Sequence, residues 1–332
     1  MELNKLTLPD FTALFNVIWL DHVESMRRDA FNSGIWKYMS IPENTGDSRR
    51  MTEIDLEQYA SRKGEGDQAS RARVQQGYTK DLLSYRVAKD IGISYEERTQ
   101  NKYQSVIERL SNLAKLPINS IELDLSMRIA NAENTSYTDK DGVVIDTTGG
   151  DALAWASTAH TLKASTTTYR NILANNPVPS RGAFEAMERM NQENSYNQFG
   201  EALPSMPWDI IYTTDDPQVC NLVSEYLESS GSPDFTNSGV KNVYQYKYKH
   251  ARLPRIAFTA AGARDTTKRN RWGMASSEGT TAYIGVWEEP HTLPFEVTTD
   301  RTDNYVTGVR AGYGICHVTG RGFSISYGDG TP

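Results

Sequence analysis

The chain has 332 residues, enough to bury a sizeable core in one large domain or in two to three smaller ones. Hydrophobic residues make up 38% and charged residues 23%, with 18 Tyr, 9 Phe and 6 Trp, which excludes a disordered chain. The net charge of -7 argues against a dedicated DNA binder that grips nucleic acid by neutralising phosphates, without excluding a container whose wall leaves packed DNA mobile. The 2 cysteines, Cys220 and Cys316, have neither CxxC nor metal-ligand spacing and read as reduced thiols of a cytoplasmic protein. Asp10, Asn16, Asp21 and His22 interrupt the apolar N-terminal residues, so neither a signal peptide nor a membrane span is expected there.

In chain order, Asp10 reads as an N-cap. It is followed by Phe11, Leu14, Phe15, Ile18 and His22 on one face of an amphipathic helix. The segment from Gly34 to Arg50 has few apolar side chains and reads as a tether, so the helix must dock on its own body or on a neighbour. Residues 55–95 read as a long two-stranded hairpin. Its tip, Arg62 to Ser70, is hydrophilic, and Ser84–Ala88 and Ile91–Tyr95 alternate as strands do. Basic residues exceed acidic ones there, against the sign of the whole chain, as in a solvated loop or in an arm that meets an acidic neighbour.

Residues 101–132 carry two helical stripes, Val106, Ile107, Leu110, Leu113, Ala114 and then Ile118, Ile121, Leu125, Ile129. Pro117 between them predicts either two helices or one long helix kinked at Leu116–Pro117. The chain then turns polar, with turns at Asp139–Gly142 and Thr148–Gly150. Helices are expected over Arg181–Asn191 and Pro217–Leu227, with a buried strand at Trp208–Thr213 between them. Further strands are expected near Val243–Lys249, Arg255–Thr259, Ala282–Trp287, Tyr305–Tyr313 and Phe323–Tyr327. The fold class is α+β.

Motifs for chemistry find little support. Gly64-x-Gly66-x-x-Ala69 matches a dinucleotide fingerprint, but Gln58–Lys63 before it is no buried strand. Asp139, Asp141 and Asp146 lack the spacing and the closing glutamate of a calcium loop. The 5 histidines show no HExxH spacing. A triad of Ser157 or Ser165 with His160 and Asp151 can be written on paper, but no G-x-S-x-G elbow accompanies it, and a structural histidine at 160 is the expectation. No catalytic residue, metal or cofactor is therefore expected, and a cytoplasmic hydrolase using His160 stands as the rival from another class.

Several segments, in order, resemble the major capsid proteins of tailed bacteriophages, the Hong Kong 97-type family. They are Arg86–Ser94 ahead of the long helix, Asp151–Leu162 with its Ser-x-x-His, and Asn171–Leu173. Pro207–Tyr212 with its following helix, Arg271–Ala275, Glu288–Pro290 and Thr302–Gly314 continue the series. Pro117 in the long helix and residues 231–242 depart from the pattern. The resemblance implies an N-terminal arm (1–54), an extended hairpin loop (55–95) and a peripheral domain with a spine helix (96–175). An axial domain (176–279) and a return to the peripheral domain (280–332) follow.

The implied function is a non-enzymatic subunit that self-assembles through pentamers and hexamers into an icosahedral head enclosing double-stranded DNA. Scaffold, portal and decoration proteins are implied partners, without a membrane. The implied location is the virion, assembled in the host cytoplasm, and a nanocompartment shell of the same fold is the alternative. Expected interface residues are Phe11, Leu14, Phe15 and Ile18 on the arm and Arg62, Lys63, Arg71 and Arg73 on the hairpin. Some relatives join subunits through a hairpin lysine; Lys63 is the tip lysine here, and no cross-link is expected from it.

Overall fold

The computed structural model describes residues 10, 12–20, 48–99, 103–204, 206–231, 240–279, 282–297 and 304–331. The fold is α+β, with the helices packed on antiparallel and mixed sheets. Residues 12–20 form helix α1. Its Phe15 and Trp19 are buried in this chain's own core, Phe15 meeting Phe295 edge-on at 6.1 Å between ring centroids. The helix thus docks on its own body, while Val17 and Leu20 remain exposed on its other side.

A two-stranded hairpin follows, formed by β1 (Ser48–Leu56) and β2 (Val74–Leu83). The pairing runs from Ser48↔Leu83 to Leu56↔Val74, with a bulge between Thr52 and Ile54. This corrects the hairpin expected within 55–95: its first strand begins seven residues earlier, in the segment read as a tether. The third strand, β3 (Tyr85–Ile93), belongs to a different sheet. The physical reason is that β1 turns carboxylates inward at Glu53 and Asp55, so no apolar alternation marks it in the sequence.

After the short helix α2 (Tyr95–Thr99) comes α3 (Tyr103–Ala130), 28 residues in one piece with Pro117 inside. Ser94 and Glu97 form a reciprocal cap at the start of α2, each side chain accepting the other's backbone N–H at 3.3 and 3.1 Å. In α3, Pro117 removes one helical N–H donor, and the helix bridges the fault because apolar cores hold it on both sides. Val106, Leu110, Leu113 and Ala114 pack with Phe15, Ile93 and Val309. Ile121, Leu125, Met127 and Ile129 pack in a second core with Tyr313, Ile315 and Ile325.

The small hairpin β4 (Ser136–Thr138) and β5 (Val144–Asp146) and the pair β6 (His160–Thr161) and β7 (Thr168–Tyr169) follow. A third core gathers α4 (Arg181–Glu193), β8 (Ile210–Thr213) and α5 (Pro217–Glu228), and β9 (Lys249–Arg252) pairs with β8. Ser180 caps α4 and Asp216 caps α5, whose first helical residue is Pro217. Strands β10 (Trp272–Ala275), β11 (Ala282–Thr292), β12 (Glu296–Val297), β13 (Tyr305–His317) and β14 (Phe323–Ser326) complete the chain. One sheet has the order β14-β10-β8-β9, with β8 and β9 parallel across α5. In the other, β13 is central, pairing with β11, β12 and β3.

Two expected strands take another form. Val243–Lys249 is turn until β9 begins at Lys249, and Pro254–Ala257 is a 3-10 turn. Both corrections have a local cause: the Asn242 side chain donates to the Tyr226 and Ser229 carbonyls and holds a loop there, and Pro254 opens the tight turn.

Asp124 fastens α3 to the β13 sheet, accepting hydrogen bonds from Tyr313 Oη at 2.5 Å and Tyr85 Oη at 3.0 Å. Burial pushes its carboxyl above the usual aspartate range, against the pull of the two tyrosines and Arg128. A carboxyl whose folded pKa is raised stabilises the fold most below the unfolded value, and that contribution is lost as pH rises through the folded value. We therefore expect the stability of the wild type relative to Asp124→Asn, measured by denaturant unfolding, to fall as pH rises from the acid side of the ordinary aspartate pKa towards neutrality.

Candidate intersubunit surface

The hairpin is anchored by a buried ionic cluster that its own two strands cannot complete. Glu53 and Asp55 point from β1 into the body, where Arg321, from the turn before β14, lies between them. Arg321 Nη2 donates to Glu53 Oε1, and Nη1 reaches Asp55 Oδ2 at 2.8 Å. Glu53 is 6% exposed at its side chain and Arg321 8%, so both charges have left water. Gln198 ties the cluster to the loop after α4, donating from Nε2 to Glu53 Oε2 at 2.5 Å and from its backbone N–H to Asp55 Oδ2 at 2.7 Å. Burial pulls the Arg321 guanidinium down to about 10, which leaves it protonated at neutral pH, and burial raises the Asp55 carboxyl.

Other bonds extend this root along the hairpin. Lys163 Nζ donates to the Gly77 carbonyl at 3.1 Å, and the Gln58 N–H donates to Glu201 Oε2 at 2.8 Å. Lys80 Nζ donates to Asp146 Oδ2 at 2.7 Å and to Thr148 Oγ1 at 2.9 Å. Burial alone would raise Asp146, but the bonds from Lys80 and Thr148 hold it down to about 2. Gly77 is required by contact: a Cβ there would stand 2.7 Å from Glu53 Oε2 and 3.0 Å from Gln198 Nε2. At Gly314 a Cβ would stand 2.3 Å from the Leu83 carbonyl, so the end of β2 crosses β13 only over a glycine.

Beyond the root, the hairpin is open to solvent. Ile54 and Gln76 are paired, as are Leu56 and Val74, and Ile54, Leu56, Val74 and Tyr59 are 68%, 55%, 64% and 64% exposed. Arg62, Lys63 and Arg71 are exposed and form no ion pair with the described residues. Arg73 differs from them. It pairs with Glu57 at 2.8 Å across the neck of the tip and lies over the Phe199 ring at 5.2 Å. Of the expected arm residues, Phe15 is buried and Leu14 and Ile18 half-buried, Ile18 against this chain's own core; Phe11 lies outside the described residues. Phe15 and Ile18 of the arm thus pack on this chain's own core, while the hairpin leaves apolar side chains exposed.

The hydrolase geometry is not formed. His160 Nδ1 faces Asp151 Oδ2 at 2.7 Å, but Nε2 faces the Trp155 carbonyl at 3.2 Å, so neither ring nitrogen meets a hydroxyl. Ser157 Oγ accepts the Ala159 N–H, and Ser165 Oγ donates to Thr167. The pair is 1% exposed on each side, and His160 stacks on Tyr169 at 4.9 Å. Asn171 completes a polar strut, donating to the Trp155 and Gly320 carbonyls at 2.7 and 3.2 Å and accepting from the Ser157 N–H at 2.8 Å. This is the structural histidine expected at 160. Among the described residues, no group of three or more His, Cys, Asp or Glu could hold a metal, and no helix is long and apolar enough to cross a membrane.

Sequence reasoning missed Glu53, Asp55, Gln198 and Arg321. The available signal was Met51–Glu53–Asp55 at strand period, with carboxylates at positions that an isolated hairpin would leave in water.

No protein-family model matches the chain, and no curated protein matches it. Among solved structures, the chain is similar to the capsid of Myoviridae phage XM1, with 13% identity and a TM-score of 0.44 over 85% of this chain and 86% of that one. It is similar to a structure from Gordonia phage Cozz, with 14% identity and a TM-score of 0.48 over 85% and 81% of the two chains. A virus-like particle from Pyrococcus furiosus matches with 10% identity and a TM-score of 0.46 over 95% and 98%.

Removing Arg321 would leave the buried Glu53 and the half-buried Asp55 without their cation. We expect Arg321→Met to lower unfolding stability by about 3–5 kcal/mol, measured by urea titration at neutral pH.

Proposed function

We propose that this chain is a structural subunit, a Hong Kong 97-type major capsid protein that assembles into the icosahedral head of a tailed phage around double-stranded DNA. The observation that carries the reading is the hairpin: firmly rooted, yet presenting exposed apolar and basic side chains that the described residues leave uncovered. A monomeric enzyme gains nothing from such an arm, whereas an arm with an immobile base suits a lattice in which each copy clamps the next. Helix α1 also leaves Val17 and Leu20 exposed. The acidic net charge of -7 suits a wall that encloses DNA without holding its phosphates. Scaffold, portal and decoration proteins would meet the assembled shell, and assembly would take place in the host cytoplasm.

The test is electron microscopy with analytical sedimentation of the purified protein expressed alone. Closed shells, tubes or capsomer rings are the expected products. A chain that stays monomeric at every concentration and in crowding salts would contradict the proposal.

A further inference from the structure

A cavity of about 360 Å³ opens between helix α3, strand β3 and the small hairpin β4–β5. That size lies at the lower end of the roughly 300–1,000 Å³ range of small-ligand pockets. Leu123 and Met127 from α3, Val87 from β3, Ile145 from β5 and Ala260 give it a mainly apolar wall. Asp124 is set into that wall. The two hydroxyls that reach its carboxylate, from Tyr85 and Tyr313, both donate to the same oxygen, Oδ2. Oδ1 has no hydrogen-bond partner among the described residues, and neither has the hydroxyl of Tyr137, which also lines the cavity. Both residues are half-buried and neither atom is sealed from the surface.

This carboxylate is short of a cation. Arg128, one turn further along α3, donates its Nη1 to the Asp146 carbonyl at 3.1 Å and forms no ion pair with Asp124. Burial raises the Asp124 carboxyl and the nearby Asp139 adds to the push, against the pull of the two tyrosines and Arg128. The cations at the rim are committed elsewhere, Lys140 to Asp141 at 2.5 Å and Arg86 to Glu288 at 3.4 Å. An apolar enclosure with one open carboxylate oxygen selects an apolar body that carries one cationic head. An anion would meet Asp124 and Asp139, and a neutral alcohol would leave the Asp124 charge unbalanced. A primary alkylammonium satisfies both walls: its methylenes cover Leu123, Met127 and Ile145, and its three N–H donors suit the Asp124 and Tyr137 oxygens.

We propose that this cavity is a binding site for a small aliphatic primary amine, with the ammonium on Asp124 Oδ1 and the alkyl chain along the apolar wall. The site goes beyond the shell reading and does not depend on it. Asp124 then serves two purposes on separate oxygens. Oδ2 fastens α3 to the β13 sheet through the tyrosines, and Oδ1 takes the ligand. A bound amine therefore stabilises the joint between helix and sheet by mass action.

The test is calorimetric titration of the purified protein with n-pentylamine at neutral pH, beside n-pentanol as the neutral analogue of the same shape. The wild type is expected to bind the amine with a Kd on the order of 1 mM or tighter, and the alcohol at least about tenfold more weakly. Asp124→Asn keeps an acceptor for the tyrosines but no charge, and should weaken the amine by at least about tenfold. Ala260→Leu leaves Asp124 intact and fills the cavity, and should weaken amine and alcohol together. Circular dichroism confirms that each variant is folded. No amine binding by the wild type, an alcohol that binds as tightly, or undiminished amine binding by either folded variant would each overturn the proposal.

Discussion

The arrangement depends on one buried interaction, the Arg321 guanidinium held between Glu53 and Asp55. It joins a residue near the C-terminus to a strand near the N-terminus, and so fixes a hairpin that has no core of its own. Taking these charges out of water is costly, and their mutual attraction offsets the cost only because Gln198 and Thr319 satisfy further oxygens. A hydrophobic root would hold the hairpin as well or better, but an ionic one fixes its register: a one-residue slip of β1 would turn both carboxylates to solvent and leave Arg321 alone in the interior.

The same constraint separates what the chain buries from what it leaves exposed. Inside the root, Leu82 is fully buried and Gly77 and Gly314 admit close approach of backbone and side chain. Outside it, Ile54, Leu56, Tyr59 and Val74 stand in water. Apolar side chains on both strands of a free hairpin are an aggregation hazard in a monomer. Basic residues at the tip reduce that hazard, because charge on an exposed strand end disfavours edge-to-edge pairing. Helix α3 packs on β3 and β13, with a separate core on each side of Pro117, and the hairpin meets the same body through β13.

Much of the fold was legible in the sequence wherever burial follows a period. The stripes of α3, the strand within Trp208–Thr213, the Asp216–Pro217 start of α5 and the runs that became β11, β13 and β14 all bury apolar side chains at regular spacing. What escaped was set by partners distant in sequence. Strand β1 looks like a charged tether because its inward residues are acids, and their cation stands 268 positions away. Strand β3 was assigned to the hairpin because a strand's sequence does not name its partner, and here β13 lies more than two hundred residues further on. Similarly, the stripe of α1 was clear, but periodicity could not say that Phe15 docks on this chain rather than on another.

The central claim is that a fixed root presents an unfilled arm to a neighbouring copy. Amide hydrogen exchange, read separately on free subunits and on the assembled form, tests it most directly. Root strands around Glu53 and Gly77 should be protected in both states, while residues 57–73 should exchange fast in the free subunit and become protected on assembly. Equally fast exchange of that tip in both states would contradict the account.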